Sequence, residues 1–134
     1  MATITRFEDI QAWQKARVLC KLIGGYIDEG RFKKNFSLID QMERSSGSIM
    51  DNIAEGFERS GNREFLQFLY ISKGSCGELR SQLYRAFDRN IITTIEFDVL
   101  VVLAKDIISM IQKLTNYLDA CEIKGLKYRT RQNE

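Results

Sequence analysis

Asn52, Glu55, Gly56 and Arg59 recur at spacings of 3, 4 and 7, so a helix through them carries all four on one face. Ser75 and Glu78 fall on a later predicted helix that should run antiparallel beside it. Glu55 and Glu78 would together form a carboxylate pair, the raw material of general acid–base chemistry, but that use also needs a pocket. The plainer reading of these residues is a hydrogen-bonded polar layer that fixes helix register or a subunit contact.

Other catalytic arrangements lack their parts. The chain has no histidine. That removes the Ser-His-Asp and Cys-His constellations, the commonest general base, and the Glu-x-x-His ligands of di-iron bundles. Glycines are scattered, with no strand–Gly-rich loop–helix context for a phosphate. Gly74 and Gly77 fall inside a predicted helix, where their expected purpose is close packing of a neighbouring helix. Cys20, Cys76 and Cys121 are far apart and odd in number, matching neither a zinc spacing nor a secreted disulfide framework. They read as small core residues in a reducing compartment. No metal, cofactor or small-molecule substrate is expected.

Basic side chains offer a different chemistry. Arg59 and Arg63 surround the second turn, Lys73 and Arg80 lie along the third predicted helix with Arg85 and Arg89, and Lys124, Lys127, Arg129 and Arg131 crowd the C-terminus. Such residues neutralise phosphates, and Tyr128 is available for stacking. Glu58, Glu64 and Asp88 dilute the patch. The formal net charge is only +2, yet residues 124–134 alone carry +3, leaving −1 for the rest. The basic balance therefore lives in the tail.

These residues must be positioned by helices. The chain has 134 residues, 44% of them apolar, enough for one domain with a real core, and it has no proline. Apolar spacing of 3 and 4 recurs in four windows. The first, about Phe7 to Asp28, carries Ile10, Trp13, Ala16, Cys20, Ile23 and Ile27. The second, about Asn35 to Phe57, carries Ile39, Met42, Ser46, Ile49 and Ile53, with Asn35 or Ser37 as N-cap. The third, about Arg63 to Asp88, carries Phe65, Leu69, Ser72, Cys76, Leu79 and Leu83. The fourth opens on a capping box, Thr93 to Glu96, and continues to about Cys121. Short connections favour antiparallel neighbours, hence an all-α, up-down-up-down, left-handed four-helix bundle over residues 1–123, followed by a basic tail at 124–134.

Val99, Val101, Val102 and Ile108 make the fourth helix apolar on more than one face, which predicts a partner subunit. The longest aliphatic run, Val99–Ala104, is too short to span a bilayer, and the N-terminus has no signal-peptide pattern. A cytoplasmic protein without membrane contact is expected.

Three runs carry a resemblance. Phe7–Ala16, Ser48–Phe57, and Arg63–Leu69 with Gly74–Leu79 resemble, in order, the characteristic segments of the 23S ribosomal RNA intervening-sequence proteins, a family of four-helix bundles. The fourth helix and tail carry no such motif. The resemblance implies a bundle assembled into a ring-like homopentamer, encoded within insertions of bacterial 23S rRNA genes or by free-standing genes. A related group of bundles serves reverse transcriptases through a basic surface that contacts nucleic acid. No catalytic residues come with it. Lys34–Ser37 lacks the proline that often follows the first helix, so that connection is expected to differ in shape. Glu43-Arg44 stands where many members have two basic residues, which predicts weaker binding if that site meets nucleic acid.

The expected protein is thus a non-catalytic homo-oligomer that associates with RNA or DNA through Arg59, Arg63, Lys73, Arg80 and the tail. Trp13, Asn52, Glu55, Gly56, Gly74, Ser75 and Glu78 would serve structure and assembly. The alternative is a protein–protein scaffold without direct nucleic-acid binding.

Overall fold

The computed structural model describes the backbone of residues 4–59 and 61–133, with side chains as far as residue 122. A 3₁₀ turn, Phe7–Asp9, precedes four helices: α1 (Gln11–Asp28), α2 (Phe36–Glu58), α3 (Asn62–Asp88) and α4 (Thr94–Asn133). Neighbours pack in the cyclic order α1, α2, α3, α4 and back to α1. Among the described residues there is no strand, as the period of the apolar residues requires.

Local chemistry explains the helix ends. Asn35 caps α2, its side-chain oxygen accepting from the Leu38 N–H. The capping box forms at α4: Thr93 Oγ1 accepts from the Glu96 N–H at 3.2 Å, and Glu96 Oε1 accepts from the Thr93 N–H at 2.8 Å. α3 starts one residue earlier than expected, with Gly61 as its cap. The connection after α1 turns through Gly30 at φ 77°, a left-handed conformation suited to glycine. That connection also buries Phe32 in the core.

The core is a column of Leu19 and Ile23 from α1, Met42, Ile49 and Ile53 from α2, Leu69, Leu79 and Leu83 from α3, and Leu100, Ile107 and Ile111 from α4. Each such side chain stabilises the fold by about 1.5–3 kcal/mol on burial. Ile10, Ala16 and Ile23 of the expected α1 stripe are buried, together with Ala12 and Leu19, while Trp13 and Cys20 sit at the margin. Phe7 of the 3₁₀ turn packs edge-on against Trp13 with ring centroids 5.2 Å apart, and Cys20 Sγ donates to the Ser46 carbonyl of α2 at 3.1 Å.

α4 continues to Asn133 and does not stop near Cys121. No proline interrupts that stretch, and its lysine, arginine, leucine and glutamine residues are good helix formers. The side chains of Lys124, Lys127, Arg129 and Arg131 lie outside the described residues. No described helix is long and apolar enough to cross a membrane.

Candidate assembly and nucleic-acid surfaces

Helices α2 and α3 meet through small polar side chains. Ser45 Oγ donates to Gln82 Oε1 at 2.5 Å, Ser48 and Ser75 hydroxyls lie 2.8 Å apart, and Ser72 Oγ donates to the Ile49 carbonyl at 2.7 Å. As numbers rise along α2 they fall along α3, so the two helices run in opposite senses. Asn52 Nδ2 joins the layer by donating to the Ser48 carbonyl at 2.8 Å and to its hydroxyl at 2.9 Å. Asn52 and Ser75 are thereby brought together on Ser48. Ser45, Ser72 and Gln82 are buried, and these bonds satisfy groups that would otherwise be costly to hide.

Gly56 closes the same seam. A Cβ at this position would lie 2.6 Å from Phe68 Cβ and 3.0 Å from a Phe65 ring carbon. Gly74 and Gly77 do not share this role. Both are exposed, with nothing within 4 Å of an added Cβ. The inward residues Ser72, Cys76 and Leu79 fix the rotation of α3, and that rotation turns the two glycines outward.

The carboxylate pair does not form. Glu55 is exposed and accepts from Arg59 Nη2 at 3.1 Å; Glu78 is exposed and accepts from Gln82 Nε2 at 3.2 Å. Each carboxylate is engaged one turn along its own helix.

The basic residues fall into two groups. Arg59 is held by Glu55 and by Glu64 at 4.0 Å, and lies 5.3 Å over the Phe68 ring. Its charge is largely answered within the chain. Arg63, Lys73 and Arg80 have no carboxylate partner among the described residues. Lys73 Nζ donates to Gln112 Oε1 at 2.6 Å, a neutral acceptor on α4. Arg80 is half-buried, and its Nε is buried without a hydrogen-bond partner. An unanswered buried donor is costly and uncommon in proteins.

An apolar groove runs between α1 and α4, lined by Val18, Leu22, Val99, Val102 and Leu103 and edged by Asp98 and Asp106. Val99 and Val102 are 51% and 57% exposed, and Ile95 is 77% exposed. Val101 is buried and Ile108 packs against the core, so half of the surplus apolar surface expected on α4 is used inside the chain. Trp13 lies outside this groove, half-buried, with the Arg17 guanidinium 5.9 Å over its ring.

Two features gave little sign in the sequence. Arg31, in the α1–α2 connection, donates through Nη1 to both oxygens of Glu96 at 2.6 and 2.7 Å and through Nε to Glu29 at 2.6 Å. Arg31 and the Thr93 N–H hold the Glu96 carboxyl down to about 2. Tyr70 and Tyr84, on the exterior of α3, are the other. Two of the thiols are unreactive in character: burial pushes Cys76 up to about 11 and raises Cys20, and they donate to the Ala104 and Ser46 carbonyls.

A family model described as 23S rRNA-intervening sequence protein matches residues 8–113. No curated protein matches the chain. Among solved structures, a protein of unknown function from the S23 ribosomal protein family of Bacteroides thetaiotaomicron is similar in fold, with a TM-score of 0.71. At 19% identity the alignment covers 78% of this chain and 97% of that one.

Proposed function

Since this chain belongs to the 23S rRNA-intervening sequence protein family, we propose that it is a non-catalytic, homo-oligomeric helical bundle that associates with RNA. The observation that carries the assembly is the α1/α4 groove, where Val18, Val99 and Val102 stay about half-exposed. A neighbouring copy covering it would hide apolar surface at about 25 cal/mol per Å². A ring of five copies is the assembly that the family resemblance implies. Within a ring, one groove per copy is repeated head to tail around the rotation axis.

RNA association is supported by the basic side chains of α3 that no carboxylate answers among the described residues, Arg63, Lys73 and Arg80. The basic C-terminal end of α4 adds charge of the same sign. Arg59 contributes less, because Glu55 already holds it. Location in the cytoplasm fits three cysteines, none of which is paired.

Solution mass and RNA affinity measured against salt test the reading together. A multiple of the chain mass, and affinity that falls steeply with added salt, are the expected results. A monomer, or no RNA bound at low salt, removes the corresponding half.

A protein–protein scaffold is the second reading. Asp98 and Asp106 at the groove margin favour it, since they repel phosphate and suit a partner helix with basic flanks. A partner that stays bound through nuclease treatment of a native lysate supports the scaffold.

A further inference from the structure

Tyr70, Lys73, Gly77, Arg80 and Tyr84 follow one another at intervals of 3 and 4, forming a single stripe along α3. The stripe borders α4. Tyr70 Oη donates to Asp119 at 3.5 Å, Lys73 to Gln112, and the Tyr84 ring meets Phe97 edge-on at 5.0 Å. Despite these contacts Tyr70 and Tyr84 remain 51% and 53% exposed. Between them lie two cations without a carboxylate partner among the described residues, one holding the orphaned Arg80 Nε. Gly77 at the centre leaves the helix backbone bare, with nothing within 4 Å of its missing Cβ.

We propose that this stripe is the binding surface for single-stranded RNA, with Tyr70 and Tyr84 stacking on unpaired bases and Lys73 and Arg80 taking the phosphates between them. The proposal rests on the RNA reading above and names its surface and strand state. A tyrosine face stacks only on a base that is free of its partner strand, so a duplex leaves both rings idle. The tyrosines are about 21 Å apart along the helix at 1.5 Å per residue, room for a few nucleotides. Asp119 beside Tyr70 and Asp88, one turn beyond Tyr84, bound the stripe at its ends. Arg63 extends the basic side past Tyr70.

The full chain is titrated with a short labelled RNA, single-stranded and annealed, and with a strand containing 2-aminopurine. The single strand should bind more tightly than the duplex and its 2-aminopurine emission should be quenched. Y70A/Y84A should weaken single-strand binding by about tenfold or more and abolish the quenching. K73Q/R80Q should lower the salt slope by about 1.4, since each phosphate left without its cation removes about 0.7. Helical circular dichroism identifies any variant that fails to fold, and Y70L/Y84L, which keeps apolar bulk but cannot stack, then replaces it. RNA bound equally well by the tyrosine variants, or duplex preferred over single strand, overturns this surface while leaving RNA association intact. No binding of either RNA by the parent chain overturns both.

Discussion

One guanidinium nitrogen of Arg31 reaches both carboxylate oxygens of Glu96, at 2.6 and 2.7 Å, and so ties the α1–α2 connection to the first turn of α4. The same carboxylate completes the α4 capping box on the Thr93 N–H. Arg31 also stacks 4.4 Å above the Tyr26 ring of α1. One acidic side chain thus ties the start of α4 to the α1–α2 connection and, through Arg31, to the end of α1.

This pairing sets an acid limit on stability. The Glu96 carboxyl falls from an ordinary 4.5 to about 2 in the folded chain. A depressed carboxylate stabilises fully above the unfolded value and loses that contribution as pH falls through the folded one. Urea midpoints for the parent should therefore exceed those of E96Q at neutral pH and converge between about 4.5 and about 2. A gap that persists at the acid end would show that the ionised form of Glu96 is not the source of the stabilisation.

Two glycines on neighbouring helices should respond with opposite signs. Gly56→Ala places a methyl 2.6 Å from Phe68 Cβ and should cost about 1–3 kcal/mol through forced separation of α2 and α3. Gly77→Ala adds a methyl to open space in a helix interior and should gain about 0.5–1 kcal/mol. Chemical denaturation of both variants gives the comparison, and Gly77→Ala losing stability would show that the α3 face around it is covered.

The contrast between these glycines marks how far the sequence could be read. Apolar periodicity located all four helices because burial selects for side chains with a hydropathy, and the capping box was visible because Thr93 and Glu96 are three residues apart. A glycine has no hydropathy, so Gly56, Gly74 and Gly77 look alike until the inward residues around each fix its direction. Arg31 shows no sign of its role in the sequence for another reason: its partner lies 65 residues away, a relation that only tertiary packing creates. The Glu55 and Glu78 pairing failed because each carboxylate found a partner one turn away on its own helix. Ser75 stands in the expected polar layer, while its pairing with Ser48 and the pairing of Ser45 with Gln82 depend on the register of the two helices.

That register gives a test of coupling within the polar layer. Gln82→Ala leaves the buried Ser45 hydroxyl only its long 3.4 Å bond to the Met42 carbonyl and should cost about 1–3 kcal/mol. Adding Ser45→Ala removes that poorly satisfied hydroxyl, so the double variant should be less destabilised than the two single losses combined, by about 0.5–1 kcal/mol or more. Strict additivity in the cycle would mean that the two side chains do not depend on each other.

The thiols predict a reactivity order. Cys76 is fully buried, and burial pushes its thiol up to about 11, so it should react with a thiol reagent at neutral pH only through unfolding of α3 or α4. Labelling followed by peptide mapping, with and without denaturant, should show Cys76 modified in denaturant alone. Modification of Cys76 in the native chain at the rate of a free thiol would refute its place in a closed core.

Self-association through the α1/α4 groove can be separated from folding because its apolar residues are already half in solvent. Val99 and Val102 contribute little to the monomer core, so V99K/V102K should change monomer stability by less than about 1 kcal/mol. In an assembled interface the same two lysines would be buried beside an apolar wall, where a charge without a partner is strongly unfavourable. Asp98 and Asp106 at the groove margin would offset part of that cost at neutral pH. V99D/V102D, which places like charges beside those carboxylates, should therefore dissociate the complex more completely than the lysine variant. Light scattering at matched concentrations should give the parent as a multiple of the chain mass, the lysine variant as a mixture, and the aspartate variant as a monomer. An unchanged mass for both variants would move the subunit contact away from this groove, and the exposed glycine face of α3 would become the next surface to substitute.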